Sequence, residues 1–188
     1  MADYHAQIMR IPKLTDSMLI LAVGFGVTGL SHVIADTVSS YIQGITGGAP
    51  DHPTYQQVAY KQTTHYEAIR IVYDPKVVTY ERLLQVFWHN IDPTQGDGQF
   101  CDKGPQYRSA VFTSDPTEKA TAERTKGAVG ERLGQQVVTQ VLDAATFWVA
   151  EEYHQDFYIK NPSRYTSYRA GCGRDRRLQQ LWAGDAGH

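Results

Sequence analysis

The stretch MLILAVGFGVTG, residues 18 to 29, joins an apolar segment to glycines spaced as G-x-G-x-x-G. Glycines in this pattern between a strand and a helix are typical of dinucleotide-binding domains. Such a domain also needs a carboxylate about 20 residues further on, at the end of the second strand, to bind the ribose. The second predicted strand, 38 to 46, ends in Gly47-Gly48 and carries no acid there. The glycine pattern therefore gives only weak support to nucleotide binding.

Hydrophobic periodicity along the rest of the chain predicts strands and helices in mixed order. The predicted strands are 18–24, 38–46, 65–73, 109–113 and 137–142. The predicted helices are 28–35, 79–88, 116–133, 150–160 and 175–182, with a long loop over 92–107. A doubly wound domain would instead alternate strands and helices regularly, so the order favours an α+β fold. We expect an N-terminal arm at 1–17, one domain at 18–182 and a tail at 183–188.

Composition argues against several classes of partner. The 188 residues include 20% charged residues and carry a formal net charge of -2, which gives no electrostatic reason to expect nucleic acid or an anionic membrane. The longest apolar stretch, 18–23, is too short to cross a bilayer. The N-terminus lacks the basic and apolar segments of a signal peptide, and two cysteines fit a reducing compartment. The prediction is a cytoplasmic protein that needs no cofactor or metal and acts on a small molecule.

Five separated segments resemble the A-type peptide methionine sulfoxide reductases. They are GITGGAPDHPTY (44–55), TTHYEAIRIVYDP (63–75), DPTQGDGQFCDKGPQYRS (92–109), AEEYHQDFYIKNP (150–162) and GCGRDRRLQQLW (171–182). The resemblance spans about 18 to 182 at compatible spacings. It implies the fold of that family, a single-domain two-layer α/β sandwich of ferredoxin-like type.

The resemblance fails at the chemical centre of the family. Counting back from GITGG places the family's Gly-Cys-Phe-Trp motif on residues 23–26. The matched positions are Gly24 for the nucleophilic Cys, Phe25 for the Phe, Gly26 for the Trp, Gly29 for the proton-donating Glu and Ile45 for a Tyr. A thiolate attacks the sulfoxide sulfur, and glycine has no group that replaces it. The count therefore predicts that the nucleophile is lost and leaves Cys172 with nothing to resolve.

Polar residues of the family pocket are retained. Asp102 and Tyr107 match residues that help to hold the substrate oxygen, and the residues that match others near the cavity are His65, Glu67, Glu152, His154 and Asp156. This combination leads us to expect a non-redox acid–base enzyme, such as an isomerase, cyclase or lyase. In this hypothesis Tyr107 and Asp102 are the acid–base pair and His65, Glu67 and His154 support them. The substrate would contact Gly24, Phe25, Gly26, Gly29, Ile45, Glu152 and Asp156.

Two alternatives remain open at the level of sequence. Cys101, next to Asp102 in the pocket loop, could act with Cys172 in residual sulfoxide reduction. The chain could also bind methionine sulfoxide or a related ligand without turning it over. His65 and His154 each have the further interpretation of polar groups satisfied within the packing.

Overall fold

The computed structural model describes residues 17–22, 40–51, 53, 57 and 62–186. The strands are β1 (Ser17–Ala22), β2 (Ser40–Thr46), β3 (Tyr66–Tyr73), β4 (Gly98–Gln99), β5 (Asp102–Lys103), β6 (Ala110–Thr113), β7 (Gln140–Asp143) and β8 (Phe147–Val149). The helices are α1 (Tyr80–His89), α2 (Pro116–Leu133), α3 (Phe157–Lys160), α4 (Pro162–Gly171) and α5 (Arg174–Trp182), with 3-10 turns at Pro105–Tyr107 and Ala183–Asp185. The predicted helix at 28–35 lies outside the described residues.

Six of the strands form one sheet in the order β7-β6-β1-β3-β2-β8. All neighbours in it are antiparallel except β6 and β7, which are parallel. Strands β4 and β5 form a separate hairpin within the loop before β6. This mixed arrangement confirms the predicted α+β fold, and the central position of β3 places its side chains in the core.

The main core lies between β3 and the helices. Ile69 and Ile71 of β3 are fully buried together with Leu84 and Phe87 of α1. Helix α1 begins where the sequence predicts, because the Thr79 side chain accepts a hydrogen bond from the Arg82 amide at 3.1 Å and caps the first turn. Since side chains alternate along a strand, Glu67 lies on the same face of β3 as these isoleucines.

The prediction for residues 150 to 160 is largely wrong. Only Phe157–Lys160 is helical, and Asp156 before it has a left-handed backbone with φ 54°. The Gln155 side chain explains the interruption, because it accepts from the Gln43 amide at 2.9 Å and donates to the Gln43 carbonyl at 2.9 Å. These bonds hold residues 151–156 as a turn against β2, and the helix begins only after it, at Phe157. Pro162, expected to end a helix, begins α4, where a proline is tolerated because the first amides of a helix have no partner.

Four further short elements were not predicted. The segment expected as a long loop contains the β4–β5 hairpin and a 3-10 turn. Strand β8 was missed because three residues are too short to show a clear alternation. In the described part of the chain, none of the helices has the length and apolar character needed to span a bilayer.

Candidate active site

The loop between α1 and β6 is held rigidly by one buried glutamine. Gln99 is fully buried. Its side-chain Oε1 accepts from the backbone amide of Asp92 at 2.9 Å, and its Nε2 donates to the backbone carbonyl of Asp92 at 2.8 Å. Gly98 permits the hairpin, since a Cβ on it would lie 1.9 Å from the Asp102 carbonyl oxygen. The segment that carries Cys101 and Asp102 is therefore a fixed part of the fold.

Phe100 sets the direction of the two residues that follow it. Its φ is 53°, a left-handed value that costs a non-glycine residue about 1–3 kcal/mol unless its surroundings hold it. Gln95 holds it by accepting from the Phe100 amide at 2.7 Å and donating to the Phe100 carbonyl at 3.2 Å. The guanidinium of Arg174 lies 4.8 Å from the ring centroid of Phe100 and adds a cation–π contact.

Helix α5 is fastened to the same loop. Buried Arg174 donates to the Asn90 carbonyl at 2.6 Å, and Trp182 donates through its indole nitrogen to the Ile91 carbonyl at 3.2 Å. Burial lowers the pKa of Arg174 to about 10, so it stays charged at neutral pH. These bonds bring the junction of α4 and α5, where Cys172 lies, against the loop that carries Cys101.

Cys101 and Cys172 form a disulfide. Their Cα atoms are 5.3 Å apart although 71 residues separate them in sequence. This pairing contradicts the expectation that Cys172 has nothing to react with. It also places two sulfur atoms next to Asp102, one of the polar residues expected at the site.

Acidic and phenolic groups surround the Cys101 sulfur. Tyr168 donates a hydrogen bond to the Asp102 carboxylate, and its Oη lies 3.4 Å from Cys101 Sγ. Burial raises the pKa of Asp102, while the Tyr168 bond and the charge of Arg174 oppose that rise. Burial and the bond to Asp102 raise the pKa of Tyr168, so its phenol stays protonated at neutral pH.

Glu67 is an acid of the site whose pKa is raised to a value above neutrality. Burial of its carboxyl group, together with the negative charge of Asp102, raises the pKa of Glu67 to about 8. At neutral pH most of the protein therefore carries a neutral Glu67 that can donate a proton. Tyr107 belongs to the same cluster, since its electrostatic influence raises the pKa of Tyr168.

Ile45 also lies at this site. It is the register partner of Glu67 on β3 and of Trp148 on β8, and directly opposed residues share a face of the sheet. Strand register thus links Ile45 to Glu67, and electrostatic interactions link Glu67 to Asp102 and Tyr107 to Tyr168. The structure adds Tyr168 and Arg174, which the sequence analysis missed. Arg174 lies within a matched motif and could have been considered, whereas nothing in the sequence around Tyr168 singles it out.

The remaining predicted site residues lie elsewhere or have other partners. His65 is buried and donates through Nε2 to the Pro50 carbonyl at 2.8 Å, so it supports the turn after β2. Asp156 accepts from the Tyr41 hydroxyl at 2.9 Å. Tyr41 lies on β2 four residues before Ile45, which is about 13 Å along a strand.

Two further predicted site residues, His154 and Glu152, lie in the same turn as Asp156 and also have other partners. The His154 ring lies against Tyr153 with centroids 4.2 Å apart, and burial lowers the pKa of His154. The exposed Glu152 contributes its carbonyl to a bond from Lys160 Nζ at 2.9 Å. Gly24, Phe25, Gly26 and Gly29 lie outside the described residues. Within the described ranges, no three His, Cys, Asp or Glu side chains converge to hold a metal ion.

Comparison with known proteins gives one consistent family. A family model described as peptide methionine sulfoxide reductase matches residues 25–186. Peptide methionine sulfoxide reductase MsrA 2 of Caulobacter vibrioides is 46% identical over 142 residues, covering 75% of this chain and 72% of the relative. Peptide methionine sulfoxide reductase MsrA of Bacillus licheniformis is 45% identical over 141 residues, covering 74% of this chain and 78% of the relative.

Solved structures give the same result. The reduced form of Mxr1 from Saccharomyces cerevisiae is similar with a TM-score of 0.76 and 28% identity, covering 81% of this chain and 90% of that one. Methionine sulfoxide reductase A of Corynebacterium diphtheriae is similar with a TM-score of 0.69 and 27% identity, covering 80% and 77% respectively.

The expectation of a non-redox isomerase, cyclase or lyase is therefore wrong. The relatives at about 45% identity align with most of this chain and are named as reductases. The assumption behind that expectation, that the thiol nucleophile is lost, is not supported either, because the described site contains Cys101 and Cys172 joined as a disulfide.

Proposed function

Because this chain belongs to the peptide methionine sulfoxide reductase family, we propose that it reduces methionine sulfoxide with Cys101 and Cys172 as its redox pair. The observation that carries this proposal is the disulfide itself, which joins Cys101 to Cys172 and lies next in sequence to Asp102, the residue whose charge acts on Glu67. The substrate in this proposal is methionine sulfoxide, either free or within a peptide.

Cys101 is the attacking residue in this mechanism. Its sulfur lies 3.4 Å from the Tyr168 hydroxyl and its neighbour Asp102 accepts from that hydroxyl, so a polar pair lies next to the reacting atom. The thiolate of Cys101 attacks the sulfoxide sulfur while Glu67 protonates the sulfoxide oxygen. The S–O bond of the substrate then breaks as the protonated oxygen passes to Cys101 Sγ, the bond between the two sulfurs breaks, and the thioether leaves with Cys101 as a sulfenic acid.

Cys172 completes the reaction. Its thiolate attacks Cys101 Sγ, the new S–S bond forms, and the sulfenic oxygen leaves as water after protonation. One sulfoxide and two thiols thus become one thioether, one disulfide and one water. The disulfide of the structure corresponds to the end of this sequence, and an external thiol must reduce it before the next turnover.

We further propose that Gly24 occupies the position of the cysteine in the family's Gly-Cys-Phe-Trp motif. In that case this member depends on Cys101, and Glu67 provides the proton donor that the count from GITGG assigns to Gly29. Gly24, Phe25, Gly26 and Gly29 stay proposed as one wall of the pocket. Ile45 would offer the substrate methyl group an apolar surface next to Glu67. The domain bounds of 18–182 and the cytoplasmic location also stay predictions.

A steady-state assay tests this function. Purified protein with methionine sulfoxide and dithiothreitol should form methionine catalytically, with many product molecules per protein, because dithiothreitol reopens the disulfide after each turnover. Protein whose thiols have been alkylated after reduction is the control and should form none. Binding of the sulfoxide without any product would instead favour the non-catalytic ligand-binding alternative.

A further inference from the structure

An open cavity of about 600 Å³ lies on the outer side of the disulfide, between α5 and the loop after α1. Its lining includes Phe100, Cys172, Arg176 and Gln180. Among the described residues, Cys172 is the half of the disulfide that lines it. The Tyr168 hydroxyl lies 3.4 Å from the sulfur of the other half, Cys101, and does not line the cavity, so the two sulfurs face different surroundings.

The charged side chains on the cavity wall are two cations, Arg176 and Arg177, and one anion, Asp92. Asp92 is paired with Arg177, whose Nε lies 2.6 Å from Asp92 Oδ2, and these two charges compensate each other. No described acidic side chain forms an ion pair with Arg176. Its guanidinium folds against Gly173, since Nη2 lies 3.1 Å from where a Cβ on that glycine would be. A positive charge therefore lies next to the residue that follows Cys172.

We propose that this cavity binds a small thiol that carries a carboxylate, and that this thiol reduces the disulfide by attacking Cys172. The volume falls within the range of about 300–1,000 Å³ that is usual for small-molecule sites. The Arg176 charge would attract the carboxylate, and the thiol would then lie beside Cys172, which is half-buried and lines the cavity. This inference rests on the proposed function only in treating the disulfide as an intermediate of turnover.

The exchange balances with two thiols. The first thiolate attacks Cys172 Sγ, the S–S bond breaks, and Cys101 leaves as a thiolate next to the Tyr168 hydroxyl. A second thiolate then attacks the outer sulfur of the mixed disulfide, which releases the Cys172 thiolate and the oxidised small disulfide. Two electrons pass from the two small thiols to the protein.

A matched set of thiols tests the charge requirement. Oxidised protein is mixed with 3-mercaptopropionate, 2-mercaptoethanol or cysteamine, and the rate of disulfide opening is measured by quenching with iodoacetamide and counting alkylated cysteines. Each rate is divided by the rate of the same thiol with 2-hydroxyethyl disulfide, which removes differences in intrinsic reactivity. The normalised rate should be highest for the anionic thiol and lowest for the cationic one, and the difference should shrink as salt is added.

Arg176→Ala identifies the residue responsible. This change should lower the normalised rate with 3-mercaptopropionate about threefold and leave the rate with 2-mercaptoethanol unchanged, as expected for one exposed charge pair. Arg82→Ala, which removes an exposed cation at the start of α1, is the control and should change neither rate. Equal normalised rates for all thiols, or an equal effect of both variants, would overturn the proposal.

The position of the mixed disulfide provides an independent readout. Peptide mapping of the quenched reaction should find mercaptopropionate on Cys172 and the alkyl group on Cys101, and the reverse pattern would also overturn the proposal. Neither readout contains methionine sulfoxide. A failure of sulfoxide reduction with intact thiol selectivity would thus count against the proposed function alone.

Discussion

Replacement of Cys101 by serine is expected to abolish methionine sulfoxide reduction, with a loss of at least about 10³-fold in kcat/KM. A serine hydroxyl at neutral pH is a poor nucleophile towards sulfur, and the neighbouring Tyr168 and Asp102 cannot replace the missing thiolate. The measurement is the formation of methionine with dithiothreitol as reductant. Turnover by Cys101→Ser at the wild-type rate would show that the attacking group lies elsewhere.

Cys172→Ser is the matched variant. It also lacks the disulfide but keeps the proposed nucleophile, so a rapid-quench experiment without reductant should yield about one methionine per protein. Both variants lose the same crosslink, whose loop of 71 residues corresponds to about 4 kcal/mol of stabilisation in the chain-entropy model. Circular dichroism of both proteins therefore shows whether they are equally folded. If Cys172→Ser formed no methionine while Cys101→Ser did, the two roles would be reversed.

The second large effect is expected for Glu67→Gln, which should lower kcat about 10²–10⁴-fold. The amide keeps the size of the side chain but cannot donate the proton that the sulfoxide oxygen needs. The wild-type rate should also fall as pH rises through about 8, where Glu67 loses its proton. Glu118→Gln is the control, because burial also raises the pKa of this carboxyl group on α2, away from the cysteines. A rate that is unchanged in Glu67→Gln would remove Glu67 from the mechanism.

The same variant should be more stable than the wild type at neutral pH. The pKa of Glu67 is about 8 in the folded protein and starts from an ordinary value of 4.5. Between these values the folded state holds the proton more tightly than the unfolded state, so Glu67 makes stability fall as pH rises. Glutamine does not titrate, and Glu67→Gln should gain about 1–3 kcal/mol at pH 7 to 8 in urea unfolding and little at pH 4. Such a gain in stability with a loss of activity is a signature of a functional group.

The fold could be predicted well wherever local signals were strong. The alternation of β3 and the capping residues Thr79 and Asp115 gave the bounds of β3, α1 and α2 within about two residues. The region from 150 to 171 could not be predicted, because Gln155 bonds to the backbone of β2 in preference to a helix. That contact joins residues 112 positions apart, so no pattern in the local sequence could predict it.

For the site, too, the sequence could indicate candidate residues but not the long-range contacts between them. Matched motifs selected Glu67, Asp102 and Tyr107, whose roles stay predictions, and the structure shows an electrostatic interaction between Glu67 and Asp102. The disulfide depends on α5 being fastened to the loop by Arg174 and Trp182, and such tertiary contacts cannot be read from the spacing of two cysteines. The raised pKa of Glu67 likewise arises from burial and from Asp102, which only the folded chain places together.

A single-turnover experiment tests the central claim most directly. Fully reduced protein is freed of reductant and mixed with excess methionine sulfoxide, and methionine, free thiols and disulfide-linked peptides are measured over time. The proposed mechanism predicts about one methionine per protein, the loss of two thiols and the appearance of the Cys101–Cys172 disulfide at the same rate. Formation of no methionine, or of methionine while both thiols remain free, would contradict the assignment of Cys101 and Cys172 as the redox pair.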